Sequence, residues 1–196
     1  MNKPPFETVY DAHYNDVWRF LLHASADVQT ALDLTSQTFF RACRGWAGFK
    51  QQAPVKSWLL SIAVNEWRRE LRRRKLSRVI PFMLRSDNHE AELEVADEEV
   101  VGVTEEIERS EAYKHLQRAL NRLPEKYSIP LMLRYFEYMS IEEVASTLGR
   151  PAGTVKSLIH RGIAKLREDQ GLREDQGLRE ACGESIIEVS QLSVEN

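Results

Sequence analysis

The chain has 196 residues, of which 42% are hydrophobic and 29% charged, and its formal net charge is −3. This length allows one ordinary domain or two small ones, and the composition excludes disordered and collagen-like chains. No apolar run approaches the ~20 residues that span a bilayer, and the first residues lack the basic start of a signal peptide. Two cysteines, Cys43 and Cys182, are too few for a disulfide scaffold or a zinc site. We therefore expect a soluble cytoplasmic protein with no metal, no cofactor and no membrane insertion.

The small net charge hides a strong alternation of sign along the chain. Residues 1–86 carry a net charge of +7, residues 87–111 of −10, residues 112–167 of +6 and residues 168–196 of −6. The first acidic block has few aromatic residues and weak apolar periodicity, which predicts a flexible linker. The second is an acidic tail with a tandem six-residue repeat, too short for a solenoid. The two basic blocks are the expected folded domains.

The first basic block predicts a bundle of three helices. Apolar residues recur at helical spacing over residues 6–21 and again after Asp27, which suits an N-cap. A loop with Gly and Pro over residues 48–54 precedes a third helix, expected over residues 55–76. All four tryptophans lie in this block, so we expect an aromatic core, with Cys43 as a small buried apolar residue.

The arginine-rich end of the third predicted helix, residues 68–75, admits two interpretations. One is a solvated helix end. The other is a surface for DNA phosphates, whose affinity falls steeply with salt. The apparent absence of acidic neighbours and the basic context favour the second interpretation.

The second basic block begins with a predicted helix over residues 112–122. Pro124 then suits the first position of a new helix. Pro130 lies inside that next segment, where a proline removes a hydrogen-bond donor and clashes with the preceding turn. We therefore expect a kink at Pro130 or a late start of this helix.

The most specific local pattern is a helix-turn-helix motif. Ser140 and Glu143 form a capping box that opens a short helix, and Gly149 suits its C-terminal turn. The second helix of such a motif enters the DNA major groove. Its outward positions are basic or polar, with no acid among them: Thr154, Lys156, Ser157, His160, Arg161 and Lys165.

At these residues the chain resembles the extracytoplasmic-function group of bacterial RNA polymerase sigma factors. The resemblance near the C-terminus is carried by Leu123-Pro124, Ser140-Ile-Glu-Glu-Val-Ala145, Gly153-Thr-Val-Lys-Ser157 and His160-Arg161-Gly162. Near the N-terminus it is carried by Asp33-Leu34, Thr38-Phe39, Arg41-Ala42, Trp58-Leu59 and Ile62-Ala63-Val64-Asn65. Two motif sets in family order, separated by an acidic linker, make the resemblance specific.

The resemblance implies an all-α protein of two small domains that acts as a dissociable specificity subunit and not as a catalyst. Residues 1–86 would be the family's region two, which binds core RNA polymerase and opens the minus-ten element of the promoter. Residues 112–167 would be region four, which binds the minus-thirty-five element and the polymerase flap. An anti-sigma factor is a further partner that the family allows.

The resemblance also implies roles for individual residues. Asn65 matches the asparagine of a pocket for a flipped non-template base, and residues 49–56 match the specificity loop over that pocket. The helix-turn-helix positions above match the recognition helix. The residues implied in minus-ten binding are Asn65, Arg68, Arg69, Arg72 and Arg73. The residues implied in polymerase contact are Asp33, Ser36, Gln37 and Phe40.

Two departures from the family pattern weaken parts of this transfer. Ser36 and Gln37 stand where the family commonly has Gln-Glu, and Leu158 stands where arginine is frequent. The first departure bears on polymerase contact, and the second on one DNA contact.

Two other functions remain open on the sequence alone. One is a stand-alone helix-turn-helix regulator that binds duplex DNA without polymerase. The other is an adaptor that uses its basic blocks to bind an acidic protein. The alternation of charge also suggests that the acidic linker or tail screens the DNA-binding faces.

Overall fold

The computed structural model of the chain describes residues 3–51, 53–79 and 111–168. Within these ranges the chain forms seven α-helices and no β-strand, which confirms the all-α prediction. The helices are α1 (Phe6–Ser25), α2 (Val28–Trp46), α3 (Val55–Val79), α4 (Glu111–Arg122), α5 (Glu125–Tyr135), α6 (Ile141–Leu148) and α7 (Ala152–Glu168). The predicted flexible linker (residues 87–111) and acidic tail (residues 168–196) lie outside the described residues, except that Glu111 begins α4 and Glu168 ends α7. None of the described helices has the length and apolarity needed to cross a membrane.

Helices α1 to α3 pack as a bundle. The Asp27 carboxylate accepts a hydrogen bond from the Thr30 backbone N–H at 2.7 Å, which confirms the predicted N-cap of α2. The largest fully buried side chains of this half are Val17, Phe20, Leu21, Leu59, Leu60 and Val64. Trp46 and Trp67 are buried, and Trp18 and Trp58 pack half-buried against the same core, so the predicted aromatic core is confirmed.

The prediction that Cys43 is buried is wrong, because its side chain is exposed. The apolar stripe of α2 runs through Ala42 and Trp46, which are four residues apart and lie on one face of the helix. Cys43 lies about 100° round the helix from Ala42 and therefore borders that face at its exposed edge.

The second half contains the predicted helix-turn-helix. Ser140 Oγ accepts from the Glu143 N–H at 3.1 Å, and Glu143 Oε2 accepts from the Ser140 N–H at 2.8 Å, so the capping box is present. Gly149 ends α6 at φ +60°, a left-handed conformation that glycine adopts without a steric penalty. The tight turn that follows leads directly into α7.

At two prolines of the second half, Pro124 and Pro130, the start of α5 differs from the predictions, and the predicted kink at Pro130 stays a prediction. Pro124 is the cap residue that precedes α5, one position before its first helical residue. The expectation of a late helix start is wrong, since α5 begins at Glu125 and continues through Pro130. Pro130 is buried within a run of seven buried residues from 127 to 133. This burial outweighs the one hydrogen bond that the proline removes, because tertiary packing supplies most helix stability in proteins.

Helix α7 lies close against α5 at Gly162. A Cβ atom at this buried glycine would lie 2.8 Å from Leu131 Cδ1, closer than real Cβ contacts. The absence of a side chain at position 162 therefore lets the second helix of the motif approach the helix behind it.

The two halves of the protein contact each other between α3 and α6, between α1 and α5, and through the loop between α5 and α6. Glu137 of that loop has a fully buried side chain, with Lys56 Nζ 3.1 Å from its Oε2 and Arg19 Nε 3.6 Å from its Oε1. On the α1 side, the ring of His23 packs on Phe136 with the centroids 4.4 Å apart. The sequence interpretation did not predict this contact.

Candidate nucleic-acid interface

A cavity of about 710 Å³ opens on the first half of the protein, between α2, α3 and the loop that joins them. Its lining includes Asn65 and three residues of the predicted specificity loop, Phe49, Lys50 and Ala53. The structure therefore brings together the asparagine and the loop that the sequence placed at a base pocket. The full lining is Arg41, Gly45, Gly48, Phe49, Lys50, Ala53, Trp58, Ile62, Asn65, Glu66 and Arg69.

Aromatic rings form one side of this cavity. Phe49 stacks on Trp58 with the centroids 4.5 Å apart, and Trp46 stacks on Phe49 at 5.6 Å. Trp46 is anchored in turn, because its Nε1–H donates to the Pro4 carbonyl at 3.2 Å. Rings held in this way offer a rigid surface on which a planar base can stack.

The arginine-rich end of α3 has acidic partners that the sequence interpretation missed. Glu70 accepts hydrogen bonds from Arg73 Nε at 2.7 Å and from Arg74 Nε at 2.8 Å. Arg73, with Arg74, holds the pKa of the Glu70 carboxyl below its usual range against the effect of burial. One helical turn earlier, Arg69 lies 3.5 Å from Glu66. The expectation that this run has no acids nearby is wrong, since both glutamates occur within α3, three or four residues from the arginines.

The remaining predicted phosphate contacts are less constrained. Arg72 is exposed and Arg68 is half-buried, and neither forms an ion pair within the described part of the chain. Arg73 keeps most of its surface in solvent while it pairs with Glu70. The arginine face is thus a mixture of fixed and unpaired guanidinium groups.

All six predicted recognition-helix residues lie on α7 and are exposed: Thr154, Lys156, Ser157, His160, Arg161 and Lys165. Two of them have a local contact. Ser157 Oγ donates to the Gly153 carbonyl at 2.9 Å, and Lys165 Nζ lies 5.9 Å from the centre of the Tyr127 ring. The opposite face of α7 is buried through Val155, Ile159 and Leu166. The helix therefore presents a basic and polar surface on a firmly packed support.

The four residues predicted for polymerase contact lie on one exposed side of α2: Asp33, Ser36, Gln37 and Phe40. Phe40 is 65% exposed, which is unusual for a phenylalanine, and the Arg44 guanidinium lies 5.8 Å from the centre of its ring. An exposed aromatic beside an arginine is typical of the centre of a protein interface.

Sequence reasoning missed Arg41 and Glu66, both of which line the cavity. Arg41 Nε lies 2.7 Å from Glu66 Oε1 across two helices. A spacing of 25 residues between the partners gives no local signal. The one available clue was an acid on the apolar stripe of α3, where a buried carboxylate requires a basic partner.

Comparisons with known proteins find a match for each half of the chain. The family model described as Sigma-70 region 2 matches residues 9–77, and that described as Sigma-70, region 4 matches residues 113–166. The RNA polymerase sigma factor YlaC of Bacillus subtilis (strain 168) is 25% identical over 172 residues, which cover 86% of this chain and 93% of that protein. The RNA polymerase sigma-E factor of Streptomyces antibioticus is 30% identical over 143 residues, 73% of this chain and 72% of that protein.

Two solved structures share the fold. The sigma factor RpoE from Bartonella quintana, solved in complex with the anti-sigma factor NepR, is 22% identical with a TM-score of 0.63 and covers 87% of this chain and 98% of its own. The structure of CnrH in complex with the cytosolic domain of CnrY is 19% identical with a TM-score of 0.56 and covers 83% of this chain and 85% of its own. At these identities the likeness shows the fold alone.

Proposed function

Because the chain belongs to the extracytoplasmic-function group of RNA polymerase sigma factors, we propose that its two basic faces divide promoter recognition between them. As a sigma factor, the protein serves transcription initiation. We assign the cavity beside Asn65 to a base of the minus-ten element and the exposed face of α7 to the minus-thirty-five element.

The cavity is the observation that carries the minus-ten assignment. Turning a base out of a duplex costs a few kcal/mol of stacking and pairing. Stacking on an aromatic ring returns about 1–3 kcal/mol per base, and an amide such as Asn65 offers both a donor and an acceptor to a base edge. The cavity combines the Phe49 and Trp58 rings, the Asn65 amide and the nearby cations Lys50 and Arg69. These are the groups that an unstacked nucleotide requires.

The exposed face of α7 supports the minus-thirty-five assignment. Lys156 and Arg161 lie on that face without an ion-pair partner among the described residues. Side chains of this kind can reach base edges or phosphates, whereas the buried face holds the helix on α5. Base contacts specify sequence, and phosphate contacts fix the register of the helix in the groove.

The exposed side of α2 is the proposed contact with core RNA polymerase. Its flat apolar centre is Phe40, with Asp33, Ser36 and Gln37 around it. The same surface is available to an anti-sigma factor of the kind solved in complex with RpoE from Bartonella quintana. The protein would act in the cytoplasm as a dissociable subunit, with no catalytic step of its own.

The main alternative, a stand-alone regulator that binds duplex DNA, is not favoured because it leaves the cavity of the first half without a function. The adaptor alternative leaves both the cavity and the α7 face without one.

The test is reconstitution of transcription with purified chain, bacterial core polymerase and a promoter library. We expect specific transcripts that depend on the chain. Asn65→Ala should reduce strand opening, followed by permanganate reactivity of unpaired thymines, and should leave duplex binding intact. Arg161→Ala should reduce duplex binding instead, and Arg118→Ala, at an exposed arginine on α4, is the matched charge control. Duplex binding with no effect on core polymerase would contradict the proposal.

A further inference from the structure

We propose that Arg41, held in place by the buried carboxylate of Glu66, determines which base the cavity accepts. This inference rests on the proposed minus-ten function and adds a specificity-determining residue to it, with Glu66 as its positioning residue. The base that such a residue selects is one that presents two neighbouring hydrogen-bond acceptors on a single edge.

The two side chains form a fixed unit in the cavity wall. Glu66 is 3% exposed, and its Oε1 lies 2.7 Å from Arg41 Nε, which makes a close ion pair. Its Oε2 lies 3.5 Å from Arg69 Nη1. Glu66 directly follows Asn65 in α3, so the ion pair and the amide line the same cavity.

The geometry leaves the two Nη atoms of Arg41 available for hydrogen bonds to a ligand. The contact with Glu66 uses Nε, and the side chain of Arg41 remains 45% exposed. No other partner of Arg41 occurs within the described residues. Four of the five N–H donors of a guanidinium belong to its two Nη atoms, so most of the donor capacity of Arg41 can face a ligand.

The position of a buried carboxylate, Glu66, in a proposed DNA-binding surface needs a physical explanation. Its negative charge repels phosphates, and its burial costs free energy unless it is paired. The cost is offset when the carboxylate restricts an arginine to one rotamer, because a preorganised group loses less entropy on binding. Glu66 meets this condition, since it fixes Arg41 at the cavity wall instead of leaving it as a mobile surface cation.

The chemistry of the guanidinium then indicates the class of base. A guanidinium has donors only and pairs best with two adjacent acceptors, such as O6 and N7 of guanine. Cytosine also presents two neighbouring acceptors, O2 and N3. Adenine and thymine alternate donors and acceptors on the corresponding edges, so they pair less well with Arg41. Guanine and cytosine are therefore the expected occupants.

The experiment measures binding of holoenzyme, formed from core polymerase and the full chain, to forked DNA with an unpaired minus-ten strand. Each position of that strand is varied through all four bases, at three salt concentrations. Wild type should prefer guanine or cytosine at one position, roughly 5- to 150-fold over adenine and thymine. The variants are Arg41→Ala, Arg41→Lys and Glu66→Gln, with Arg73→Ala as the control for a cation outside the cavity lining.

Arg41→Lys is the decisive variant, because it keeps the positive charge and loses the planar fork. We expect it to abolish the preference at that single position while the salt dependence of binding stays as in wild type. Glu66→Gln should weaken the same preference, and Glu66→Gln added to Arg41→Ala should have no further effect on it. Arg73→Ala should lower the affinity for all sequences equally and reduce the salt slope by about 1.

Three results would overturn the inference. If Arg41→Ala lowers binding of every base equally, Arg41 is a phosphate contact. If Arg41→Lys retains the preference, the two-donor geometry of the guanidinium does not select the base. If the Arg41 variants change only thermal stability, the ion pair is structural. A wild-type holoenzyme that fails to bind forked DNA at all would instead refute the proposed minus-ten function itself.

Discussion

Two nearly buried glutamates with basic partners, Glu70 on α3 and Glu137 between the two halves, have pKa values that move in opposite directions. Hydrogen bonds from Arg73 and Arg74 lower the pKa of Glu70. At Glu137 burial dominates and raises the pKa, although Lys56 and Arg19 oppose the rise. The two sites differ in the largest influence on the carboxyl pKa, which is hydrogen bonding to arginine at Glu70 and burial at Glu137.

This difference has a structural consequence. A carboxylate that stays charged well into acid holds its arginines over a wide pH range, so the α3 surface keeps its arrangement. The contact between the halves contains a carboxylate that burial pushes towards its neutral form. The contribution of Glu137 at this contact and that of Glu70 on α3 should therefore change in opposite directions as the pH falls.

His23, on the α1 side of the contact, gives the largest expected effect. Burial, with a smaller contribution from Arg19, lowers the pKa of its imidazole to about 4. When folding lowers the pKa of a histidine, its contribution to stability is fully present above the pKa of the unfolded state, near 6.5. This contribution is lost as the pH falls towards the folded-state pKa of about 4. The gap from 6.5 to about 4 corresponds to roughly 3 kcal/mol.

Urea unfolding of wild type and His23→Leu between pH 7 and pH 4 measures this loss. The free energy of unfolding of wild type should fall relative to that of the variant over this range. Parallel curves for the two proteins would show that His23 does not sense pH at the contact.

Glu70→Ala tests the other site. It removes the acceptor of three charged hydrogen bonds, two from Arg73 and one from Arg74, which should lower the free energy of unfolding at pH 7 by about 1 kcal/mol, since both arginines remain in contact with solvent. In wild type, the Glu70 contribution is present above its unfolded pKa and is lost as the pH falls through the lower folded value. Thermal unfolding measures the change, and Arg72→Ala, at an exposed arginine without an ion pair, is the control, expected within about 0.5 kcal/mol of wild type. Equal melting temperatures for both variants would contradict the role of Glu70.

Glu137→Gln should have a smaller effect of the opposite sign. Burial disfavours the charged form of Glu137, and Lys56 keeps Asp16 as a partner at 3.0 Å, so an amide at position 137 should leave stability at pH 7 unchanged or raise it, by up to about 1 kcal/mol. In wild type, the pKa of Glu137 is higher in the folded state than in the unfolded state. Glu137 therefore adds stability as the pH falls from the folded-state pKa to the unfolded-state pKa. The variant should lack that gain when the two are compared by chemical unfolding. Asp11→Asn, at an exposed acid on α1, is the matched control, and a destabilised Glu137→Gln would show that the ion pair outweighs burial.

Replacement of Tyr138 should have the smallest effect on stability. Tyr138 directly follows Glu137 in the loop between α5 and α6. Its φ is +54°, and its side chain is 84% exposed. A left-handed conformation costs a non-glycine residue roughly 1–2 kcal/mol, partly offset in a glycine variant by the greater entropy of the unfolded chain. Tyr138→Gly should therefore raise the melting temperature by an amount equivalent to about 0.5–1 kcal/mol. A lower melting temperature would mean that the exposed ring contributes packing.

Much of the fold could be predicted because its signals are local. The Asp27 N-cap, the Ser140 capping box and the Gly149 turn are each encoded within a few residues, and each is present in the structure. The exposed face of α7 follows from helical periodicity in the same way. The family resemblance predicted that Asn65 lies in a pocket for a base. Asn65 lines the cavity, and its contact with a base stays a proposal.

The missed features depend on contacts between distant residues. The Arg41–Glu66 pair joins α2 to α3, and the Lys56–Glu137 pair joins the two halves across 81 positions. No spacing rule relates such partners. The expectation of a late start of α5 was wrong for a related reason, because the packing that keeps α5 helical comes from other helices.

Gly162 has a consequence for the genetics of this protein. The glycine faces α5, away from the exposed side of α7, and leaves no room for a side chain beside Leu131. A side chain there requires either Leu131 or α7 to shift, and a shift of α7 would displace Lys156 and Arg161. If α7 binds promoter DNA as proposed, a screen for loss of promoter activity should recover position 162 together with the residues on the exposed face of α7, although Gly162 lies on its buried side.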